Sequence, residues 1–276
     1  MKIQILILGM LCAYMSGKAQ ADTTGTNTPK EKADTIQIGS MIIIKKGNPD
    51  NGDGSVVHIH KGHHYKPSNI STNWIIVDLG FTNYNDKTNY GGADAQQFAP
   101  GSTKDWFKLR NGKSVDVNIW FFMQRLNLIQ HVVNLKYGLG LELNNYRYTT
   151  NIKYLTNPTK VIMDTLSYSK NKLAADYVTI PVMLNFNFTP NLRHDFGISA
   201  GASFGYLYSS RQKLISDPYG KQKTHNDFDL NPWKISWIAE IQLGPVKLYG
   251  SYATQSMFSK GLDQIPYTVG IRLSNW

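Results

Sequence analysis

The segment VVHIHKGHHY holds four of the seven histidines in the chain: His58, His60, His63 and His64. Imidazoles at positions i, i+2, i+5 and i+6 of a flexible segment can converge on Zn²⁺ or Cu²⁺, since both ions accept nitrogen ligands. No cysteine or carboxylate lies within the cluster to complete a ligand set. The segment therefore has two interpretations, a metal site or a solvated loop, and the sequence predicts no cofactor elsewhere.

A serine activated by a histidine is the second chemistry that the residue types allow. The candidates are His131, Ser167, His194, Ser209, Ser210 and His225. Their spacing singles out no pair of nucleophile and base, because a catalytic triad is defined by geometry and not by sequence position. The sequence predicts no catalytic residue and favours a protein that is not an enzyme.

The elements that would position these side chains are β-strands. In NLKYGLGLELN, residues 134–144, large apolar residues alternate with small, polar or charged ones, the period of a strand with two unlike faces. The same alternation recurs seven more times after Pro67. The eight predicted strands cover residues 74–81, 115–123, 133–144, 177–188, 196–208, 235–243, 246–252 and 267–274.

Connections between these strands alternate in length. Long segments near residues 82–113, 149–174, 210–231 and 257–264 are separated by the short turns NLIQ, TPNLR and GP. Up-and-down barrels of the bacterial outer membrane have short periplasmic turns and longer outer loops, whereas a lipocalin-type barrel does not require the alternation. The loop lengths therefore favour a membrane barrel.

The small-residue face fits the interior of such a barrel. Eight strands enclose a lumen just wide enough for side chains to fill, and this face is rich in glycine and serine. The apolar rows contain no charge, as a surface in lipid requires. Charges predicted inside should pair in networks of mixed sign: Asp78, Asp116, Lys136, Glu142, Lys234, Glu240, Lys247 and Arg272. Pro181 falls within a strand, where we expect a bulge.

Residues 1–21 are typical of a cleaved export signal: Lys2, an apolar run, and small residues up to Ala21. Cys12 is the only cysteine, so the exported chain would have no disulfide. The formal net charge of +10 is spread along the chain, and with the export signal this argues against binding of nucleic acid. The protein is expected to be exported to the outer membrane of a Gram-negative cell envelope.

Residues 22–70 are interpreted as a periplasmic tether and β-hairpin. The pieces TIQIGSMIIIKK and SVVHIHK flank the spacer GNPDNGDG, which is dense in turn-forming residues. Residues 34–66 could therefore take a periplasmic protein partner by strand addition. Residues 71–276 are assigned to the barrel, whose other predicted partner is outer-membrane lipid.

Three of the long loops mix tyrosine, asparagine and lysine in the manner of ligand-contacting surfaces. They contain NYGGADAQQF, NNYRYTTNIKYLTNP and SDPYGKQKTHNDFDLNPW. Polar loops at a membrane surface have a similar composition, so a binding role and simple solvation both remain open.

With the motifs DTIQIGSMIIIKKG, HVVNLKYGLGLELNNY, YVTIPVMLNFNF and YTVGIRLSNW, the chain resembles PorT-like outer-membrane β-barrel proteins of Bacteroidetes. The resemblance covers roughly residues 74–276 and implies insertion into the outer membrane. It also implies, for some members, a role in protein secretion, and it supplies no catalytic motif to carry over.

The sequence thus predicts an all-β fold, an eight-stranded antiparallel up-and-down transmembrane β-barrel with a short N-terminal hairpin and tether. The expected function is that of a non-enzymatic, membrane-anchored scaffold or binding protein, with a role as an accessory to protein secretion included. Two alternatives are a lipid-modifying enzyme active at the rim and a soluble lipocalin-like ligand carrier.

Overall fold

The computed structural model describes residues 68–190 and 196–274 with their side chains. Nearer the N-terminus it describes the backbone of three strands, β1 (Asp34–Ile38), β2 (Met41–Lys46) and β3 (Val56–Lys61). The export signal, the tether up to residue 33 and Trp276 lie outside the described residues. The chain divides into two compact units, Met1–His64 and Tyr65–Trp276.

The first unit contains an antiparallel sheet in the order β1-β2-β3. Strands β2 and β3 pair across the turn-rich spacer, with Met41 opposite Lys61 and Lys46 opposite Val56. The first apolar piece is itself divided at residues 39–40, so β1 adds a third strand to the two that the sequence suggested.

In its described residues, the second unit contains eleven strands, one short α-helix, α1 (Ala93–Phe98), and two 3-10 helices, Lys104–Phe107 and Asn111–Lys113. In chain order the strands are β4 (Ile70–Asp86), β5 (Val115–Ile129), β6 (Val133–Tyr148), β7 (Ile152–Thr156), β8 (Thr159–Met163), β9 (Lys170–Asn187), β10 (Phe196–Ser216), β11 (Gly220–His225), β12 (Trp233–Leu243), β13 (Val246–Ala253) and β14 (Gln264–Leu273). None of the helices in the described residues has the length and apolar character needed to cross a membrane.

Eight of these strands form a closed antiparallel ring in the order β4-β5-β6-β9-β10-β12-β13-β14. The ring closes where β14 pairs with β4, from Gln264 opposite Asp86 to Leu273 opposite Val77. The predicted eight-stranded barrel is confirmed. Several strands are longer than predicted at one end: β9 begins at Lys170 and β10 continues to Ser216.

The long connections all leave the same end of the ring, called here the loop end, and the short turns leave the opposite turn end. The loop end carries α1, the hairpin of β7 and β8, which form their own two-stranded sheet, and β11, which pairs with the extension of β10.

The two faces of the strands are oriented as predicted. In β6 the polar residues Asn134, Lys136, Glu142 and Asn144 are buried, while the alternating apolar residues are partly exposed. Around the ring, exposed apolar side chains form a continuous outer surface, called here the apolar band. It includes Leu79, Phe81, Ile180, Val182, Leu184, Ile198, Phe204, Trp237, Ile241, Val269 and Leu273.

One predicted row changes face within β5. The register with β6 shifts between Trp120 and Phe122, so that Phe121 is an extra residue in β5. A one-residue bulge moves every later side chain to the opposite face. Met123, which the sequence placed on the apolar row, is therefore fully buried in the interior. Trp120 is buried as well, and Phe121 is exposed.

The prediction of a bulge at Pro181 is wrong, although the pairing of β9 is interrupted there. Pairing of β9 with β6 stops between Val182 and Thr179, yet the register is the same on both sides of the gap, so no residue is inserted. On the other side, Pro181 remains paired with Ser203 of β10. The missing proline N–H is accommodated by a local break in one ladder and not by a bulge.

Glycine on the inner face serves close contact between neighbouring strands as well as a narrow lumen. A Cβ atom added at Gly138 would lie 2.5 Å from the carbonyl oxygen of Phe122, and one at Gly140 would lie 2.5 Å from that of Ile119. Both contacts are with the backbone of the adjacent strand β5. A side chain at either position would therefore have to displace the bulged strand.

Candidate functional site

Aromatic side chains close the loop end of the barrel. They are called here the aromatic plug: Phe98, Phe107, Tyr146, Tyr148, Tyr154, Phe228 and Phe258, all buried in one cluster. They come from α1, the end of β6, the strand β7 and three different loops. Segments that lie far apart in the chain thus meet over the lumen, where each ring can be buried only by the others.

Tyr154 of the β7–β8 hairpin is the centre of the plug. Its ring lies 5.5 Å from that of Phe228 in an edge-on arrangement and 6.2 Å from that of Phe258 in a stacked one. Its hydroxyl group is 2.8 Å from that of Tyr148, so these two polar atoms satisfy each other. Burial raises the pKa of Tyr154 well above its usual value. The plug is therefore uncharged at any physiological pH.

Beneath the plug, the lumen holds a network of ion pairs. Arg272 donates two hydrogen bonds to Asp78, both of 2.7 Å, and a third of 2.6 Å to Glu240. Glu240 also accepts from Lys136 at 2.5 Å. All four side chains are almost completely buried. Four of the eight charged residues that the sequence placed inside the barrel thus form a network of mixed sign, as predicted.

A second buried pair joins Lys234 of β12 to Glu142 of β6. Glu142 also accepts a hydrogen bond of 3.1 Å from the amide of Asn144. The guanidinium group of Arg272 lies 5.4 Å from the Trp120 ring centroid, which adds a cation–π contact. Each buried cation named here therefore has at least one carboxylate against it, as a low-dielectric interior requires.

The space that this network leaves in the lumen is small. A cavity lined by Trp120, Glu142, Glu240 and Arg272, among others, has a volume of about 30 Å³. Such a cavity has room for one or two water molecules. At the level of this network, the described lumen is therefore filled by side chains.

The loop end also carries a larger concave site, called here the loop pocket, with a volume of about 770 Å³. Four loop segments contribute to it: α1, the β7–β8 turn, the segment after β11, and the loop before β14. The residues that line it are Asp94, Gln97, Phe98, Thr156, Asn157, Pro158, Thr159, Lys160, Asn226, Asp227, Asp229, Lys260 and Gly261.

Charges of both signs surround the loop pocket. Asp94, Asp227 and Asp229 supply carboxylates, and Lys160 and Lys260 supply ammonium groups. The Nζ atom of Lys260 lies 3.2 Å from Oδ2 of Asp229, so these two lining residues form an ion pair. Among the described residues, no group of histidine, cysteine or acidic side chains is arranged to hold a metal ion.

The backbone on one side of the loop pocket adopts an unusual conformation. Phe228 and Asp229 both have positive φ angles, 52° and 54°, although neither is glycine. The side chain of Asn226 accepts a hydrogen bond from the Phe228 N–H, and burial of the Phe228 ring in the plug holds the segment in place. Backbone conformations of this kind cost about 1–3 kcal/mol each and cluster at ligand sites.

A pocket of this composition fits a neutral, hydroxyl-rich ligand. Carboxylate, amide and hydroxyl groups converge on it, and Phe98 and Pro158 are the lining residues with apolar side chains. Carboxylates and amides accept hydrogen bonds from hydroxyl groups, and the amides and lysines donate in return. The arrangement can therefore hold a sugar by several polar contacts at once.

The structure places the candidate metal ligands only in part. His58 and His60 lie in β3, opposite Ile44 and Ile42 of β2. His63 and His64 lie outside the described residues, and so do the side chains of all four. The metal site stays a prediction.

The candidate catalytic residues do not gather in one place. His131 lies in the turn between β5 and β6 at the turn end, far along the barrel from Ser209, Ser210 and His225 at the loop end. Ser210 donates its hydroxyl to the carbonyl of Asn226, and no described contact joins it to His225. His194 lies outside the described residues.

Each of the three loops that the sequence singled out contributes to the loop pocket. NYGGADAQQF supplies Asp94, the loop ending in LTNP supplies Asn157, and the third loop supplies Asp227 and Asp229. Sequence reasoning missed Lys160 and the segment Lys260–Gly261. The sequence showed only that these residues lie in long connections at the loop end, and every other residue of those connections has the same property.

Comparison with known proteins supports the fold described above. Residues 75–255, more than half of the chain, match the family model for the outer membrane protein beta-barrel domain. The match ends before β14, the strand that closes the ring.

Among curated proteins, none matches the chain. Two solved structures of mutants of the Rh. blastica porin are similar at 11% and 10% identity. In both cases 87% of this chain and 87% of the porin chain are covered, with a TM-score of 0.13. Likeness this weak carries no argument, so the assignment rests on the domain match: the chain belongs to the family of outer membrane proteins with a β-barrel domain.

Proposed function

We propose that this outer-membrane barrel is a non-enzymatic, membrane-anchored binding protein that holds a carbohydrate in its loop pocket. The observation that carries the proposal is the pocket itself, a polar concavity of about 770 Å³ built by four loops over a closed lumen. Pockets of about 300–1,000 Å³ are the usual size for small-ligand sites.

The closed lumen favours binding over transport. Above it lies the aromatic plug, and within it lie the buried ion pairs around Arg272 and Glu142. A ligand entering from outside would have to displace both layers to cross the membrane. Capture at the surface requires neither step.

Loss of one carboxylate from the loop pocket is expected to weaken carbohydrate binding. Asp94→Asn and Asp229→Asn each remove a charged acceptor while keeping the side-chain shape, so we expect a Kd about tenfold higher, equivalent to about 1.4 kcal/mol. Binding is measured on the full chain in detergent, first on an array of bacterial surface glycans and then by calorimetry with the best glycan.

Asp217→Asn is the matched control for these two variants. Asp217 is exposed in the turn between β10 and β11 and lies outside the pocket lining, so its loss should leave the Kd unchanged. Equal binding by all three variants and the wild type would remove the loop pocket from the proposal. Failure of every glycan to bind would remove the ligand class.

The closed lumen also predicts an electrical result. Purified protein added to a planar lipid bilayer is expected to give no stepwise current, because the aromatic plug covers the described lumen and buried ion pairs fill it. A porin reconstituted in the same bilayer is the positive control. Reproducible unitary steps from this protein would contradict a packed interior and favour transport.

The narrower PorT-like assignment and a role beside a secretion machine belong to the same proposal. Supporting it are the edge strands β1 and β3 of the N-terminal sheet, either of which can pair with a strand from a periplasmic partner. On this proposal the chain is exported with removal of its first residues, and the N-terminal sheet faces the periplasm.

A further inference from the structure

Four basic side chains form a row across adjacent strands at the loop end of the barrel. They are called here the basic row: Arg147 of β6, Lys172 of β9, Lys213 of β10 and Lys223 of β11. Arg147 is directly opposite Lys172, Lys172 is opposite Lys213, and Lys213 is opposite Lys223. Every neighbouring pair in the row therefore has the same charge.

The surroundings of the basic row add to its positive charge. Arg110 lies beside the row, because the backbone N–H of Arg110 donates a hydrogen bond of 2.7 Å to the backbone carbonyl of Arg147. Lys221 of β11 lies two residues from Lys223, on the side of the β10–β11 turn, and is opposite Ile215 of β10. Like charges directly opposite in a sheet are destabilising, so such a row is costly in the absence of an anion.

Nearby carboxylates are already engaged elsewhere. Asp176, the acidic residue on the same strand as Lys172, is bound by Arg211. Asp164 accepts a hydrogen bond from the Tyr168 hydroxyl and lies 3.8 Å from Lys153. No ion pair to a described carboxylate is formed by any member of the row. Arg147 and Lys172 donate to neutral oxygens, those of Ser169 and Asn145.

A bulge in β10 turns part of this charge outward. The register with β9 shifts between Leu207 and Ser209, so the exposed face changes from even to odd positions. Tyr206 below the bulge and Tyr208, its extra residue, are exposed; Lys213 is partly exposed above the bulge, while Gln212 is buried. In the absence of the bulge, Gln212 would face outward and Lys213 would face the lumen.

The basic row lies just above the apolar band. Tyr206 and Trp233, whose rings are 4.9 Å apart, and the exposed Tyr208 mark the upper edge of that band. Exposed aromatic rings of this kind mark the boundary between hydrocarbon and headgroups in outer-membrane barrels. Lys213 is five residues beyond Tyr208, roughly 17 Å along the strand and roughly 13 Å along the membrane normal at a tilt of about 40°. The headgroup layer is roughly 5–8 Å deep, so the long side chains of the row reach it by extending toward the membrane.

We propose that the basic row binds the phosphate groups of an anionic glycolipid in the outer leaflet, whose acyl chains lie against the apolar band below. Arginine and lysine are the side chains that bind phosphate most strongly. The adjacent apolar band is what selects a lipid over a soluble anion, since a headgroup held at the row places its chains on that surface. The site is on the outer wall and is independent of the loop pocket.

The test compares two lipids and two pairs of substitutions. The full-length barrel in neutral detergent is titrated with diphosphorylated lipid A, and the number of bound lipids is read by native mass spectrometry. We expect wild-type protein to retain the lipid and Lys172→Gln/Lys213→Gln to bind it at least tenfold more weakly. Lys87→Gln/Lys104→Gln removes the same charge from exposed positions of the loop between β4 and β5 and should bind as wild type does.

A stability measurement separates this role from a folding defect. Removal of two like charges should raise the urea midpoint of the barrel in phosphatidylcholine, because repulsion across the row is relieved. With diphosphorylated lipid A present, the wild type should gain more stability than the variant, because a ligand of the folded state stabilises it. Without lipid A the double variant should therefore have the higher urea midpoint. With lipid A the wild-type midpoint should equal or exceed that of the variant.

Three results would overturn the proposal. They are equal lipid retention by the two double variants, equal retention of dephosphorylated lipid A by the wild type, and displacement of the lipid by millimolar inorganic phosphate. The last result would identify a site for soluble phosphate. Tighter binding of a soluble anionic polysaccharide than of the lipid would likewise assign the row to a different ligand.

Discussion

Val182→Arg is expected to destabilise the inserted barrel by about 2–4 kcal/mol, the cost of a lysine or arginine on the lipid face at the bilayer midplane. Val182 is at the middle of the exposed apolar row of β9, which extends from Val178 to Phe186. The guanidinium group of an arginine at that depth is far from the headgroups of both leaflets. The free energy of unfolding is measured by urea titration of the barrel in phospholipid vesicles, and the compact unheated band on a gel reports insertion.

Two matched variants isolate the effect of charge at depth. Val182→Met keeps the position apolar and should cost less than about 1.5 kcal/mol. Tyr219→Arg places the same arginine on the exposed turn between β10 and β11, outside the apolar band, and should change stability by no more than about 0.5 kcal/mol. If Val182→Arg were as stable as Tyr219→Arg, the outer surface of β9 would not face lipid.

The barrel could be predicted from the sequence because its signal is local and repeated. A period of two in residue type reports a strand wherever one face differs from the other, and eight such segments were found in the correct order. The side on which each face lies followed from composition: glycine and serine fill a narrow lumen, and no charge interrupts the apolar rows. Buried charges such as Asp78 and Arg272, far apart in sequence, could be expected to pair because the interior offers them no water.

Bulges limited that prediction, because an inserted residue leaves little mark on composition. At Phe121 and Phe122 two large apolar residues are adjacent, so either can be assigned to the lipid face. Met123 was therefore placed on the wrong side. The bulge after Leu207 was hidden in the same way, between Tyr208 and Ser209. Register shifts are set by pairing with neighbouring strands, and this information is not local.

The loop pocket could be anticipated in part. Three loops were distinguished by polar and aromatic composition, and each supplies residues to the pocket. The sequence could not show that they converge, because convergence depends on how the aromatic plug packs Tyr154, Phe228 and Phe258 over the lumen. Lys260 carried no signal at all, since a lone lysine in a loop is most often simply solvated.

The interior of the barrel gives the second large effect. Glu240→Ala is expected to destabilise the protein by about 3–5 kcal/mol, the usual cost of breaking a buried ion pair by removing one partner. Glu240 accepts hydrogen bonds from both Lys136 and Arg272, and all three side chains are almost fully buried. After the substitution Arg272 keeps its two bonds to Asp78, so the deficit falls mainly on Lys136. Urea unfolding in vesicles measures the change.

Lys260→Ala is the matched surface control for this prediction. Lys260 is 68% exposed and pairs with Asp229, and surface pairs contribute about 0–1 kcal/mol. If Glu240→Ala destabilised the protein no more than this surface variant does, water would have to reach the lumen and screen its charges.

A compensating substitution at Lys136 separates the two possible causes of the cost at Glu240, an unpaired buried charge and a packing defect. Lys136→Met removes the buried ammonium group while keeping an unbranched chain, and Glu240→Gln keeps an acceptor for Arg272. The double variant should therefore recover at least half of the loss seen in Glu240→Ala, because no buried cation then lacks its carboxylate. If the double variant were as unstable as Glu240→Ala, the loss would come from packing in the lumen, and charge pairing would contribute little to holding the eight strands together.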